Sequence, residues 1–216
     1  MYERVLVPLD GSKLSEGILP YVRALARALK LPVELLHVND PAQLPPYAPP
    51  IEGAQYLEKI ASSFSDSANV KCTVELGNPA ALIIDLAALR PETLIAMATH
   101  GYSGAKRWLL GSITEKVLHA ANSDLLLIRP ANGDSHGEAQ LKMMIVPLDG
   151  SVLAAKALPT VSELAPRLVL EVLLVRVAKR VYTAPPEAFL PVFGANVPDL
   201  KQLWQEAKSE ANRHLF

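Results

Sequence analysis

Residues 94–112 read LIAMATHGYSGAKRWLLGS, and the order of residue types in this stretch decides the fold. Four apolar residues, Leu94, Ile95, Ala96 and Met97, open it. A short apolar run bounded by turn formers predicts a buried strand. The chain then turns small and flexible through Ala98, Thr99, His100, Gly101, Tyr102, Ser103 and Gly104. It closes on Gly111-Ser112, ahead of a helical pattern at Ile113, Val117, Leu118 and Ala121. Ser112 has Glu115 three residues on, the spacing of a capping box, which predicts Ser112 as the N-cap. The order is strand, glycine-bearing loop, helix start. That order suits an anion, because glycine allows close backbone approach and the unpaired N–H groups of a helix start point at the charge. Neither the Walker A pattern nor GxGxxG occurs here, and glycine for the turn alone is the plainer reading of such a loop.

Working outward, residues 4–9 (RVLVPL) predict a first strand and Asp10-Gly11-Ser12 a turn. Leu14, Ile18, Val22, Leu25 and Leu29 then mark one face of a helix. Pro20 falls inside that pattern, so the helix has an irregular first turn or starts late. Residues 33–38 predict a second strand. Five prolines between Asp40 and Pro50 predict an extended loop. Tyr56, Leu57 and Ile60 suggest a short helix, and residues 70–76 a third strand. A helix opening at Pro79 or Ala80 runs through Leu82, Ile83, Leu86 and Leu89 and ends at Pro91. The quoted stretch supplies the fourth strand and the last helix, and residues 124–128 the fifth strand. Five strands alternate with four helices, and consecutive apolar runs dominate the strands. Both features predict an α/β fold with an open parallel sheet covered by helices on both faces.

The rest of the 216-residue chain repeats its beginning. VPLDGS occurs at Val7 and again at Val146, an offset of 146 − 7 = 139. At that offset Leu14 meets Leu153, Pro20 meets Pro159, Leu25-Ala26 meets Leu164-Ala165 and Val38 meets Val177 without a gap, with about half the positions identical. This predicts a tandem duplication. The expected organisation is a first domain over 1–130, a polar linker over 131–141 and the N-terminal half of a second domain over 142–216. Prolines 185, 186, 191 and 198 restate the proline-rich loop, and a helix is expected around Leu200 to Leu215. A half sheet is a poor stand-alone domain, so the second copy is expected either to be cut short or to pack on the first copy or a partner.

Composition narrows the function. A net charge of −1 offers nothing to a polyanion such as nucleic acid. No apolar run approaches the roughly 18–20 residues of a membrane helix; Glu171 and Arg176 interrupt the longest, Leu168 to Val177. The opening MYERVLVPLD predicts a strand, not a signal peptide. Cys72 is the single cysteine, so no internal disulfide forms and a cytoplasmic location is expected; a plain strand residue is its simplest role.

The quoted stretch resembles the universal stress protein family. ATP-binding members carry G-x2-G-x9-G followed by Ser or Thr here. Gly101 and Gly111, with nine residues between them and Ser112 following, match the second and third glycines; Ala98 stands at the first. The resemblance continues at VPLDGS (Val7 to Ser12), GSITEKVL (Gly111 to Leu118) and LLLIRP (Leu125 to Pro130). It implies a Rossmann-like, adenine-nucleotide alpha hydrolase-like sheet of strand order 3-2-1-4-5, with ATP as ligand and Mg2+ admissible beside its phosphates. It also implies roles. Asp10 contacts the ribose or a phosphate-bound cation, and Pro8, Leu9 and Val38 line the adenine. Gly101, Gly111, Ser112, Ile113 and Thr114 hold the phosphates, and Met97, Ala98, Thr99 and His100 complete the site. A homodimer through the last strand, or an intrachain pseudo-dimer, is implied as well, with a regulatory stress-response role and little or no hydrolysis.

Each residue also has a plainer role: Asp10 as a turn cap, Ser112 as an N-cap with or without phosphate, Val38 as sheet core. His100 has no partners at a spacing that defines a catalytic triad. Lys106 and Arg107 suit either phosphate or solvent, and Trp108 suits packing. The other histidines, at 37, 119, 136 and 214, share no zinc-ligand spacing. Two other functions compete with ATP binding. One is a scaffold of this fold that acts by dimerisation, which Ala98 favours. The other is an adenylating or pyrophosphate-releasing enzyme, ranked low because DGS lacks the glycine pair such enzymes carry after the first strand.

Overall fold

The computed structural model describes residues 2–42, 51–64, 69–99, 110–129 and 137–177. The chain divides into two compact units, residues 1–141 and 142–216.

In the first unit, strands β1 (Arg4–Pro8), β2 (Val33–Asn39), β3 (Val70–Leu76), β4 (Thr93–Ala98) and β5 (Leu125–Ile128) form one sheet. Its order is β3-β2-β1-β4-β5, and every pairing is parallel. This is the strand order that the resemblance implied. Helices α1 (Lys13–Glu16), α2 (Leu19–Leu29), α3 (Ile51–Ala61), α4 (Pro79–Ala88) and α5 (Ser112–Ala120) connect the strands.

Strand alternation explains the consecutive apolar runs. Leu6, Leu36, Ile95 and Met97 face one way and pack with Ala80, Ile83 and Ala87 of α4 and Val117 of α5. Their neighbours in sequence point to the other face, where His37 meets Tyr56 of α3. Val5, Leu6, Val7, Leu35 and Leu36 have no exposed surface at all. A strand buried on both faces has no polar side to show.

The first helical pattern is two helices, not one. Ser12 caps α1, its side chain accepting from the Ser15 N–H, and α2 begins afresh with Pro20 in its first turn. There the missing N–H of proline has no helical partner to lose. Beneath the sheet's N-terminal edge, buried Arg4 ties β1 to three neighbours. It bonds Thr93 on β4 at 2.8 Å, the Glu34 carboxylate on β2, and the Leu86 carbonyl on α4.

Residues 137–139 of the expected linker belong to the first unit, where they lie along α2. Arg23 donates to the Gly137 carbonyl at 2.9 Å, Arg27 pairs with Glu138 at 2.8 Å, and the Ala139 N–H bonds the Pro20 carbonyl at 2.9 Å.

The second unit contains β6 (Met143–Pro147), α6 (Val152–Ala155), α7 (Leu158–Leu168) and β7 (Glu171–Val175), with β6 and β7 parallel. At the offset of 139 these copy β1, α1, α2 and β2 in detail. Val5 pairs with Val33, and Met144 pairs with Val172. Ser151 caps α6 as Ser12 caps α1. Gly11 and Gly150 take φ of 84° and 85°, the left-handed turn conformation that glycine accepts without strain. Val146 and Ala165 are buried, while Ile145, Leu173 and Leu174 are exposed. The region expected to hold a helix near residues 200–215 lies outside the described residues.

Candidate functional site

Strand order places the site. From β1 the chain runs outward through β2 to β3, then crosses to the other side of β1 for β4 and β5. At such a reversal the loops leaving the two central strands part, and a crevice opens beyond their carboxyl ends. β1 pairs with β4 through Arg4–Thr93, Val5–Leu94 and Leu6–Ile95, so Pro8-Leu9-Asp10 and Ala98-Thr99 leave the sheet side by side.

On the β4 side, the chain leaves the sheet at Thr99 and is brought back to the same point at Gly111. The Gly111 N–H donates to the Thr99 carbonyl at 2.7 Å, the Thr114 hydroxyl donates to the Ala98 carbonyl at 3.2 Å, and the Thr99 N–H donates to Ile128 at 2.8 Å. The start of α5 is thereby pinned at the end of β4. Its N-cap is Gly111, in extended conformation, not Ser112 as the capping-box spacing predicted. Ser112 is the first residue of the helix and is exposed. A glycine cap has no side chain to satisfy the first-turn N–H groups, and those groups carry the positive end of the helix dipole.

Ala98 is buried and held in the β4–β5 ladder opposite Ile128. Lys30 and Val169 are the non-glycine residues with positive φ among those described, so the backbone at 98 has no need of glycine.

On the β1 side, Pro8 is half-buried and Leu9 is buried. Leu9 is fixed at both ends of its peptide: its N–H donates to Leu36 at 2.8 Å and its carbonyl accepts from His37 Nδ1 at 2.8 Å. Asp10 is exposed, and one of its oxygens accepts the Ser12 N–H at 2.9 Å. The turn-capping role is therefore filled, and Asp149 repeats it with Ser151 at 2.8 Å.

Val38 and Met97 lie at the carboxyl ends of β2 and β4, with their side chains in the core against α4 and α5. Ile113 is half-buried against the same core, and Thr114 is buried. His100 and Gly101, with Lys106, Arg107 and Trp108, lie outside the described residues. Among the expected site residues, then, the structure gathers Ala98, Thr99, Gly111 and Thr114 by direct bonds and sets Pro8, Leu9 and Asp10 beside them.

A neighbouring group escaped the sequence reading. Beside Asp10, buried Ser15 and Glu16 of α1 stand near the Tyr56 hydroxyl of α3. Burial, and then the charges of Glu16 and Asp10, hold the Tyr56 phenol well above the usual tyrosine range. Tyr56 packs edge-on against His37 with ring centres 5.9 Å apart. Gly53 leaves room for the His37 ring, because a Cβ there would stand 2.7 Å from His37 Cδ2. The available signal was Glu16 beside Ser15 on the helix face one turn after the DGS turn, but no spacing rule ties it to a tyrosine forty residues on.

These features define an open parallel α/β protein whose topological switch point lies between β1 and β4. The family model for the universal stress protein family matches residues 1–129, and the chain belongs to that family. Universal stress protein MJ0531 of Methanocaldococcus jannaschii is 28% identical over 142 residues, covering 60% of this chain and 83% of the relative. Universal stress protein MJ0577 of the same archaeon is 27% identical over 158 residues, covering 61% and 98%. The solved structure of MJ0577 matches with a TM-score of 0.54 over 62% of this chain and 99% of that one. A universal stress protein from Archaeoglobus fulgidus, 21% identical, matches in fold with a TM-score of 0.62 over 83% of this chain and 68% of its own. That share exceeds the first unit, so the likeness in fold runs on into the second.

Proposed function

We propose that the chain is a nucleotide-binding regulatory protein that takes ATP in the crevice between β1 and β4 and hydrolyses it slowly or not at all. The observation that carries this reading is the closure of the β4–α5 loop by the Gly111–Thr99 bond at 2.7 Å. It sets an uncapped helix start, suited to phosphates, beside Asp10, suited to a ribose or a phosphate-bound cation. Mg2+ enters with the nucleotide in this reading. Gly101 and Gly111 with Ser112 keep the glycine spacing of ATP-binding members, and an alanine at 98 sits in regular strand. The tandem arrangement, 1–130 as the nucleotide domain and 142–216 as part of a second, belongs to the same reading. So does pairing of two copies, or of the two halves of one chain, along β5.

Thermal unfolding with and without ATP tests it. ATP at 100 times its dissociation constant stabilises the protein by about 2.7 kcal/mol. Asp10→Asn keeps an oxygen for the Ser12 N–H but loses the charge, and it is expected to weaken ATP binding roughly tenfold without changing the unliganded melting temperature. Absence of a shift with ATP, ADP and AMP alike overturns the nucleotide reading in favour of a scaffold. Steady phosphate or pyrophosphate release turns it toward an enzyme.

A further inference from the structure

At the opposite end of the first unit, where the strands begin, lies a cavity of about 750 Å³. Cavities that take small molecules span about 300–1,000 Å³. Its wall is formed by the second half of α2, the turns entering β2 and β3, the end of α3 and residues 137–138. Among the described residues, three cations line it, Arg23, Arg27 and Lys30, and one carboxylate, Glu138, faces them.

One pair within this cluster works against the helix. Arg23 and Arg27 stand four residues apart on α2, a like-charge pair that a helix disfavours. Arg23 is 8% exposed. It is held there by the Gly137 carbonyl, the Ser63 hydroxyl at 2.7 Å and the face of Phe64, 5.2 Å from its guanidinium carbon.

The chain contains its own control. At the offset of 139, α7 copies α2 over the same eleven residues, with the same left-handed cap. The packing residues Val22, Leu25, Ala26, Leu29 and Leu31 recur as Val161, Leu164, Ala165, Leu168 and Leu170. The three cations do not: Ser162, Pro166 and Val169 replace them. One cation, Arg167, paired with Glu163, serves the end of α7. Helix and cap therefore form without the cluster, and neither accounts for its presence in the first unit.

We propose that this cavity binds a small organic anion, a carboxylate or phosphate monoester with an apolar body, which displaces Glu138 from Arg27. Arg27 and Lys30 take the oxyanion, the buried charge of Arg23 adds to the attraction, and Phe64 and Leu31 cover the apolar part. Glu138, 2.8 Å from Arg27, is the internal anion that holds the place in the unliganded chain. The site is independent of the crevice at the other end of the sheet.

Calorimetric titration of the full chain with phenyl phosphate, benzoate and inorganic phosphate, in the absence of nucleotide, tests this. Phenyl phosphate or benzoate is expected to bind more tightly than inorganic phosphate, and the stronger of the two identifies the head group. Arg27→Ala with Lys30→Ala, both exposed, is expected to weaken binding by about tenfold or more, with the unliganded fold checked by circular dichroism. Glu138→Gln is expected to tighten binding about threefold or more, because it removes the competitor. No binding of either organic probe overturns the proposal, as does a double variant that binds like the unmodified chain or a Glu138→Gln variant that binds no better.

Discussion

Glu34 sits on a strand, 6% exposed, in a position where a charge has to be compensated. Burial pushes its carboxyl up, but hydrogen bonds from Lys71 and Thr73 and the charges of Arg4 and Lys71 outweigh burial, and its pKa lies below the ordinary 4.5. A carboxyl lowered by folding contributes stability that is present above its unfolded pKa and is lost as pH falls through the folded value. Urea unfolding is therefore expected to show stability declining below about pH 5, and Glu34→Gln is expected to flatten that decline. The same variant leaves Arg4 buried against an uncharged partner, at a cost of about 3–5 kcal/mol at neutral pH. Ala98 supports a second prediction at this scale. Its place in the β4–β5 ladder makes Ala98→Gly a loss of about 0.5–1 kcal/mol, with ATP affinity unchanged within about threefold. A much larger gain in affinity would show that the methyl obstructs the crevice.

Element boundaries turn on small local contests. Ser112 and Glu115 have capping-box spacing, yet the helix starts one residue earlier, with Gly111 as its cap, because the Gly111–Thr99 bond fixes where the chain rejoins β4. That bond joins residues twelve apart and leaves no mark in the local pattern. Gly111 has φ −61° and ψ 147°, angles open to any residue. Gly111→Asp is expected to stabilise the unliganded protein by a few tenths of a kcal/mol, as an acidic N-cap does over glycine. By placing a carboxylate where phosphate is proposed to sit, it is also expected to abolish the ATP-induced shift in melting temperature. A stabilised variant that still responds to ATP would move the phosphates elsewhere. The late start of α2, by contrast, was legible in Pro20, which belongs in a first turn and nowhere deeper, whereas the separate helix α1 before it was not.

Across the whole molecule, residues 137–139 complete the first unit and are more than a connector. Ending the chain after residue 129 instead of 141 removes the Gly137, Glu138 and Ala139 contacts with α2. It is expected to lower the unfolding free energy of the first unit by roughly 1–3 kcal/mol, from the worth of two hydrogen bonds and a partly exposed ion pair; equal stability of the two fragments would show those contacts to be idle. Polar composition alone had marked this segment as a linker, since a pattern of Gly, Ser and Asp does not disclose which cations wait for it on a distant helix. By itself the sequence determined the parallel sheet, and the repeat at an offset of 139 was legible in it. Runs such as Val5-Leu6-Val7 tolerate burial on both faces, and the match at one offset runs without a gap. It also marked the DGS turn after β1 and Gly111 at the start of α5. Only the tertiary structure decided that Gly111 caps α5, that Tyr56 and Glu16 close on Asp10, and that Arg23, Arg27 and Lys30 meet Glu138 around one cavity. Those contacts join residues far apart in the chain, and their energy depends on a distance that periodicity does not encode.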